Sequence, residues 1–167
     1  FCKVRLSRLL IRENNKKILS IATLSNDLTT ITKNEKLNPN LKSAKPFRGV
    51  KVAIIDTGVN YNLDFISARI SRKDPSTLTG YDFEDNDALP FDVDTGRSIF
   101  FPMHHGTAVA SVIVKEAPNA SIVIYRFPRN NMCKFEDLVK HVSERKIKIA
   151  NLAMGSKNLK AVAIRGS

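Results

Sequence analysis

Two short stretches carry residues suited to acid–base chemistry, Asp56-Thr57-Gly58 and His105-Gly106-Thr107, and a strand ending in Asn151-Leu152-Ala153-Met154-Gly155 lines up with them. A buried carboxylate that accepts a hydrogen bond from one imidazole nitrogen fixes the tautomer and stabilises the imidazolium. The other nitrogen can then take a proton from a nucleophile. Asp56 and His105 are the candidates for that pair. Gly58 and Gly106 beside them are expected to let a substrate backbone come close. His104 precedes His105 directly and raises two rival readings, a metal pair and two surface histidines at a helix start. Metal-binding pairs on a helix sit at i and i+4 on one face, as in H-E-x-x-H, which adjacent histidines do not match.

The elements around these residues alternate. "GVKVAIIDTGVN" (49–60) is a short β-branched run that stops at Asp-Thr-Gly, as a strand buried on both faces does. "GTAVASVIVKEA" (106–117) has the length of a helix, ended by Pro118. "ASIVIYRF" (120–127) reads as the next strand. "FEDLVKHVSERK" (135–146) reads as an amphipathic helix with Leu138, Val139 and Val142 on its apolar face. "IKIANLAMG" (147–155) is a third apolar strand. Strand, helix, strand, helix, strand predicts an α/β fold, a doubly wound, mostly parallel sheet flanked by helices. Active groups in such sheets collect at the carboxyl ends of the strands, where Asp56 and Asn151 to Gly155 fall.

The chain has 167 residues, which suits one domain with a real core. Its apolar runs, such as 52–55 and 108–114, are too short to span a bilayer. It begins with Phe1, so a fragment or a processed product is a fitting reading, and the missing signal peptide says little about location. The net charge of +11 is uneven. Residues 1–51 hold 12 Lys and Arg against 3 acids, and the remainder is close to balance. Residues 1–46 read as a basic extension and linker, with "KILSIATL" open between strand and helix. A nucleic-acid arm is the rival reading. Apart from Phe1, no aromatic interleaves these basic residues, so nucleic acid is not the expected partner. Cys2 and Cys133 read as incidental. "NAS" at Asn119 fits a glycosylation pattern but enters a core strand, and it reads as structural.

"VAIIDTGVN", "HGTAVAS", "APNASIVIYRF" and "IANLAMGS" together resemble consecutive landmarks of the subtilisin-like serine peptidases. The resemblance covers residues 47–160 and takes in an Asp in D-[ST]-G, a His in H-G-T-x-V-A and a substrate-binding strand of the form N-x-S-L-G. It implies that Asp56 is the orienting carboxylate and His105 the general base and acid. It implies that Ala153, Met154 and Gly155 pair with a polypeptide substrate as an added strand. It assigns residues 47–167 to the N-terminal portion of a catalytic domain, incomplete at its C-terminus. Residues 1–46 are then a candidate for the end of an inhibitory propeptide. Secretion is favoured on the resemblance alone.

The departures are as informative. The G-T-S-[MYF]-A motif that carries the nucleophile is absent, and so is the G-N motif of the oxyanion site. Ser111 lies on the His helix, Ser156 falls where the family often has a second Gly, and Ser167 is terminal. The chain by itself is therefore expected to be inactive, as a piece of a longer peptidase. The alternative is a truncated relative that binds peptides or partners. Asn60 stands where the family often has Asp, and Ala153 where it has Ser. Asp64, in "NLDF", is a doubtful calcium ligand. "GYDFEDNDALPFDVD" (80–94) holds Asp82, Glu84, Asp85, Asp87, Asp92 and Asp94. A solvated acidic loop is the plain reading, and Asp82, Asp85 and Asp87 are weak calcium candidates. No cofactor is expected to take part in the chemistry.

Overall fold

The computed structural model describes residues 8–12, 18–36, 38–93, 104–127 and 132–152. β1 (Arg8–Arg12), β2 (Ile18–Leu24) and β3 (Ile31–Lys36) form an antiparallel sheet in that order. The stretch "KILSIATL" is therefore strand. Asp27 closes the β2–β3 turn, its Oδ1 accepting from Ser25 Oγ, Thr29 N and Thr29 Oγ1, while Leu28 takes φ 64°. Residues 38–46, read from sequence as linker, are docked on the following fold. Asn38 Nδ2 donates to Asp87 Oδ2 (3.1 Å), Lys42 N to Asn62 Oδ1 (3.2 Å) and Ala44 N to Pro75 O (3.0 Å).

β4 (Val50–Asp56), α1 (Asp64–Ser67), β5 (Arg72–Asp74), β6 (Thr77–Leu78) and β7 (Tyr81–Asp82) come next. α2 (His105–Glu116), β8 (Ala120–Arg126), α3 (Phe135–Glu144) and β9 (Ile149–Leu152) complete the described elements, with one 3-10 turn, Met132–Lys134, ahead of α3. Four strands make one parallel sheet in the order β7-β8-β4-β9. The expected α/β architecture is present, a mostly parallel sheet with flanking helices.

Period-two alternation sorts the side chains of β4 and β8 to two faces. Ile54, Ile122 and Ile124 pack with Ile66, Ile70 and Ala110, under α1 and α2. Ala53, Ile55, Val123 and Tyr125 pack with Phe83, Phe127 and Leu138, under α3. Each such aliphatic side chain, fully buried, is worth about 1.5–3 kcal/mol. All seven residues of β8 are buried, so this strand anchors both cores. α2 buries Gly106 and Ala110, an i, i+4 pair of small residues that brings its backbone close to β4.

One expectation needs correction. Val139 is 52% exposed, because Leu138 and Val142, four apart, share the buried side of α3 with Phe135, and position 139 is turned away from it. The third apolar strand is present as β9, and all four of its residues are exposed. Among the described residues β9 has β4 on one side only, and Ile149 and Leu152 stand on the surface.

Candidate active site

β4 ends at Asp56, whose side chain is 1% exposed. One oxygen accepts the next backbone N–H, Thr57 N to Asp56 Oδ1 at 2.7 Å, which fixes the carboxylate plane. His105 opens α2, and its Nδ1 lies 2.9 Å from Asp56 Oδ1 and 2.9 Å from Oδ2. An ionised Asp56 only accepts, so Nδ1–H donates and Nε2 is left as the basic nitrogen. The imidazole is 40% exposed. With Nδ1 held against a buried group, the accessible surface of the ring lies on the side away from Asp56. The two candidate residues, 49 apart in sequence, thus meet in one hydrogen-bonded pair.

The glycines beside them serve a different purpose from the one expected. A Cβ on Gly106 would stand 2.0 Å from Gly58 O and 3.1 Å from Asp56 Cβ. Gly58 has φ +94°, and a Cβ there would stand 2.3 Å from Phe91 O. Their bareness is taken up by the protein's own backbone. It lets α2 and the 89–92 segment close on the Asp56 loop, and Val59 N donates to Pro90 O (3.0 Å) within the same contact.

His104 and His105 diverge. His104 Nδ1 lies 3.1 Å from the backbone oxygen of Asp92, whereas His105 turns to Asp56. Ser111 Oγ donates to Thr107 O (2.8 Å), one turn back on α2, so it does not join the pair. Ala153, Met154 and Gly155 lie outside the described residues. β9 leads up to them, parallel to β4.

The acidic stretch is built around a guanidinium. Asp82 is buried and accepts from Glu84 N (2.8 Å), Asp85 N (2.8 Å) and Arg126 Nη1 (3.0 Å). Arg126 also meets Asp85 at 2.9 Å and Glu84 at 3.2 Å. Burial still pushes Asp82 up to about 6, with Arg126 opposing. Asp87 accepts from Asn38 Nδ2 and from Leu89 N (2.8 Å). Among the described residues no three His, Cys, Asp or Glu side chains converge as a metal ion would require.

Asp92 is the residue that the sequence reading filed in the wrong place. It is wholly buried and hydrogen-bonded to Thr57 and Thr107, in contact with the segments that carry Asp56 and His105. The signal was its setting, "LPFDV", where an acid stands among apolar neighbours.

Residues 48–166 match the model of the subtilase family, Peptidase S8. The chain is 39% identical over 85 residues to the minor extracellular protease Vpr of Bacillus subtilis (strain 168), covering 47% of this chain and 10% of that protein. It is 28% identical over 121 residues to the thermophilic serine proteinase of Bacillus sp. (strain AK1), covering 64% of this chain and 26% of that protein. The chain thus spans well under a third of either relative. No solved structure matches. The parallel sheet, the Asp56–His105 pair at its strand ends and the match over 48–166 agree, and the chain belongs to the subtilase family.

Proposed function

We propose that this chain is the N-terminal part of the catalytic domain of a serine endopeptidase, with Asp56 and His105 as two of its three triad members. The observation that carries the reading is the buried Asp56 carboxylate on Nδ1 of a solvent-accessible imidazole. The seryl nucleophile and the oxyanion amide come from polypeptide outside these 167 residues. His105 Nε2 takes the proton of the attacking hydroxyl as the hydroxyl oxygen bonds to the peptide carbonyl carbon. Asp56 stabilises the resulting imidazolium. His105 then gives that proton to the leaving amine as the C–N bond breaks, and an acyl-enzyme remains. Water, deprotonated by the same nitrogen, releases the acid.

The substrate class is polypeptide. Ala153, Met154 and Gly155 bind its backbone as an added strand, a role supported by β9, which leads up to them from the sheet that ends at Asp56. The chemistry needs no metal. Of the three weak calcium candidates, Asp82 and Asp85 spend oxygens on Arg126 and Asp87 accepts from Asn38 and Leu89, so this donor set does not suit a cation. One relative is named as an extracellular protease, and secretion is the matching proposal here. The β1–β3 sheet shares no strand with the parallel sheet, which suits the end of a propeptide.

The test is labelling of the polypeptide that carries this segment with a fluorophosphonate, which reacts with activated serines. One serine in a G-T-S-x-A context, outside residues 1–167, is expected to take the label, and His105→Ala is expected to abolish it. If no serine labels and no peptide is cleaved, the peptidase reading fails and the peptide-binding alternative takes its place.

A further inference from the structure

Asp92 joins two hydrogen-bond relays that cross between the catalytic segments. In the first, Gly106 N–H donates to Thr57 Oγ1 (3.0 Å), and Thr57 Oγ1 donates to Asp92 Oδ1 (2.7 Å). In the second, Asn60 N–H donates to Thr107 Oγ1 (2.9 Å), and Thr107 Oγ1 donates to Asp92 Oδ2. Thr107 N adds a direct bond to the same oxygen at 2.8 Å. The first relay starts on the residue after His105 and passes through the residue after Asp56. The second starts in the loop after β4 and passes through the first turn of α2. Each hydroxyl has one proton, and both point that proton at Asp92. Only a group that accepts on both oxygens completes the two relays, as a carboxylate does; burial raises the Asp92 carboxyl above its ordinary value, and the bonds from Thr107 and Thr57 oppose burial by favouring the ionised form. Its charge also faces the positive end of α2.

We propose that Asp92 is the positioning residue of this site. It locks the loop after β4 to the first turn of α2, so that the Asp56–His105 bond keeps its length and direction. The inference rests on reading that pair as catalytic. The physical case is one of tolerance. Asp56 and His105 sit on separate elements, and an imidazole displaced by about 1 Å costs on the order of a hundredfold in rate. A buried amide at position 92 would satisfy one relay and leave the other hydroxyl proton with no acceptor.

The experiment uses the polypeptide that carries this segment, with active sites counted by titration so that unfolded molecules do not enter the rate. Asp92→Asn is expected to lower kcat by about 10- to 100-fold with KM nearly unchanged. Thr57→Val is expected to lower it less, and to add little in the Asp92→Asn background, where the one amide oxygen turns to the two Thr107 donors and the Thr57 relay is already broken. The Nδ1–H proton of His105 gives a readout that needs no turnover. Its downfield nuclear magnetic resonance is expected to shift or broaden in Asp92→Asn. A variant with a lower Tm but unchanged kcat per active site and an unchanged His105 resonance overturns the proposal, leaving Asp92 as a stability residue. A wild-type polypeptide that cleaves nothing while Asp92→Asn still moves the resonance overturns the peptidase reading and leaves the positioning role standing.

Discussion

Asp56 and Asp82 both end strands of the parallel sheet, are both buried, and are separated by β8 alone. Arg126, at the end of β8, is in register with each of them. Their partners differ. Asp82 faces a guanidinium that never gives up its proton and that also binds Glu84 and Asp85. Asp56 faces an imidazole, a ring with one nitrogen to donate and one to accept, and that ring is 40% exposed. One sheet end thus holds a closed ion cluster beside an open carboxylate–imidazole pair, the pair proposed above to transfer protons. A buried carboxylate does not mark a catalytic centre by itself. The chemistry of its partner, guanidinium or imidazole, decides which kind of site it makes.

The largest expected effect falls on the open pair. Asp56→Asn keeps the shape but forces the wrong tautomer on His105, and kcat/KM for peptide hydrolysis is expected to fall by about four powers of ten with the fold intact by circular dichroism. The same kind of change in the closed cluster is expected to strike stability instead. Arg126→Met leaves Asp82 buried and uncompensated and should cost about 3–5 kcal/mol in urea unfolding. Removing both charges, Arg126→Met with Asp82→Leu, should recover most of that loss. A single Arg126→Met that unfolds at the wild-type urea concentration would erase the contrast between the two carboxylates.

The smallest effect comes from the other histidine in the described core. His141 Nδ1 lies 3.0 Å from the Tyr125 hydroxyl, among the rings of Tyr81, Phe83 and Tyr125. Burial first and the Arg145 guanidinium second hold it down at about 4, against an ordinary 6.5. The folded chain binds this proton less readily than the unfolded chain. Its stability contribution is therefore full above about pH 6.5 and is lost as the pH falls toward 4. Asp82, pushed up to about 6, contributes with the opposite slope, so the difference between wild type and His141→Gln isolates the histidine. Urea midpoints from pH 7 to 4.5 should separate the two chains progressively. Parallel curves would place the proton uptake elsewhere.

What could be read in the sequence was whatever is written locally. The β-branched runs gave β4 and β8, Gly and Pro gave the ends of elements, and two short motifs gave Asp56 and His105. What could not be read depends on partners far along the chain. Arg126 lies 44 residues from Asp82, so the acids of that stretch looked solvated or fit for calcium. Asp92 lies 35 residues from Thr57, and nothing near it in sequence announces the two hydroxyls. The glycines were assigned to a substrate because their neighbours in space, each other and Phe91, were not visible. The N-terminal antiparallel sheet was hidden by the exposed polar run Thr32, Lys33 and Asn34 of β3 and by a turn that Asp27 closes through side-chain bonds.

The crossing of the site between β4 and α2 also sets an order in time. Asp56 and His105 are brought together over 49 residues, and contacts of that span form late, because the loop they close must first lose its freedom. A nascent chain that has made β4 but has not yet docked α2 holds a carboxylate and a histidine with no bond between them. The Asp56–His105 pair is assembled by the same event that completes the fold around it.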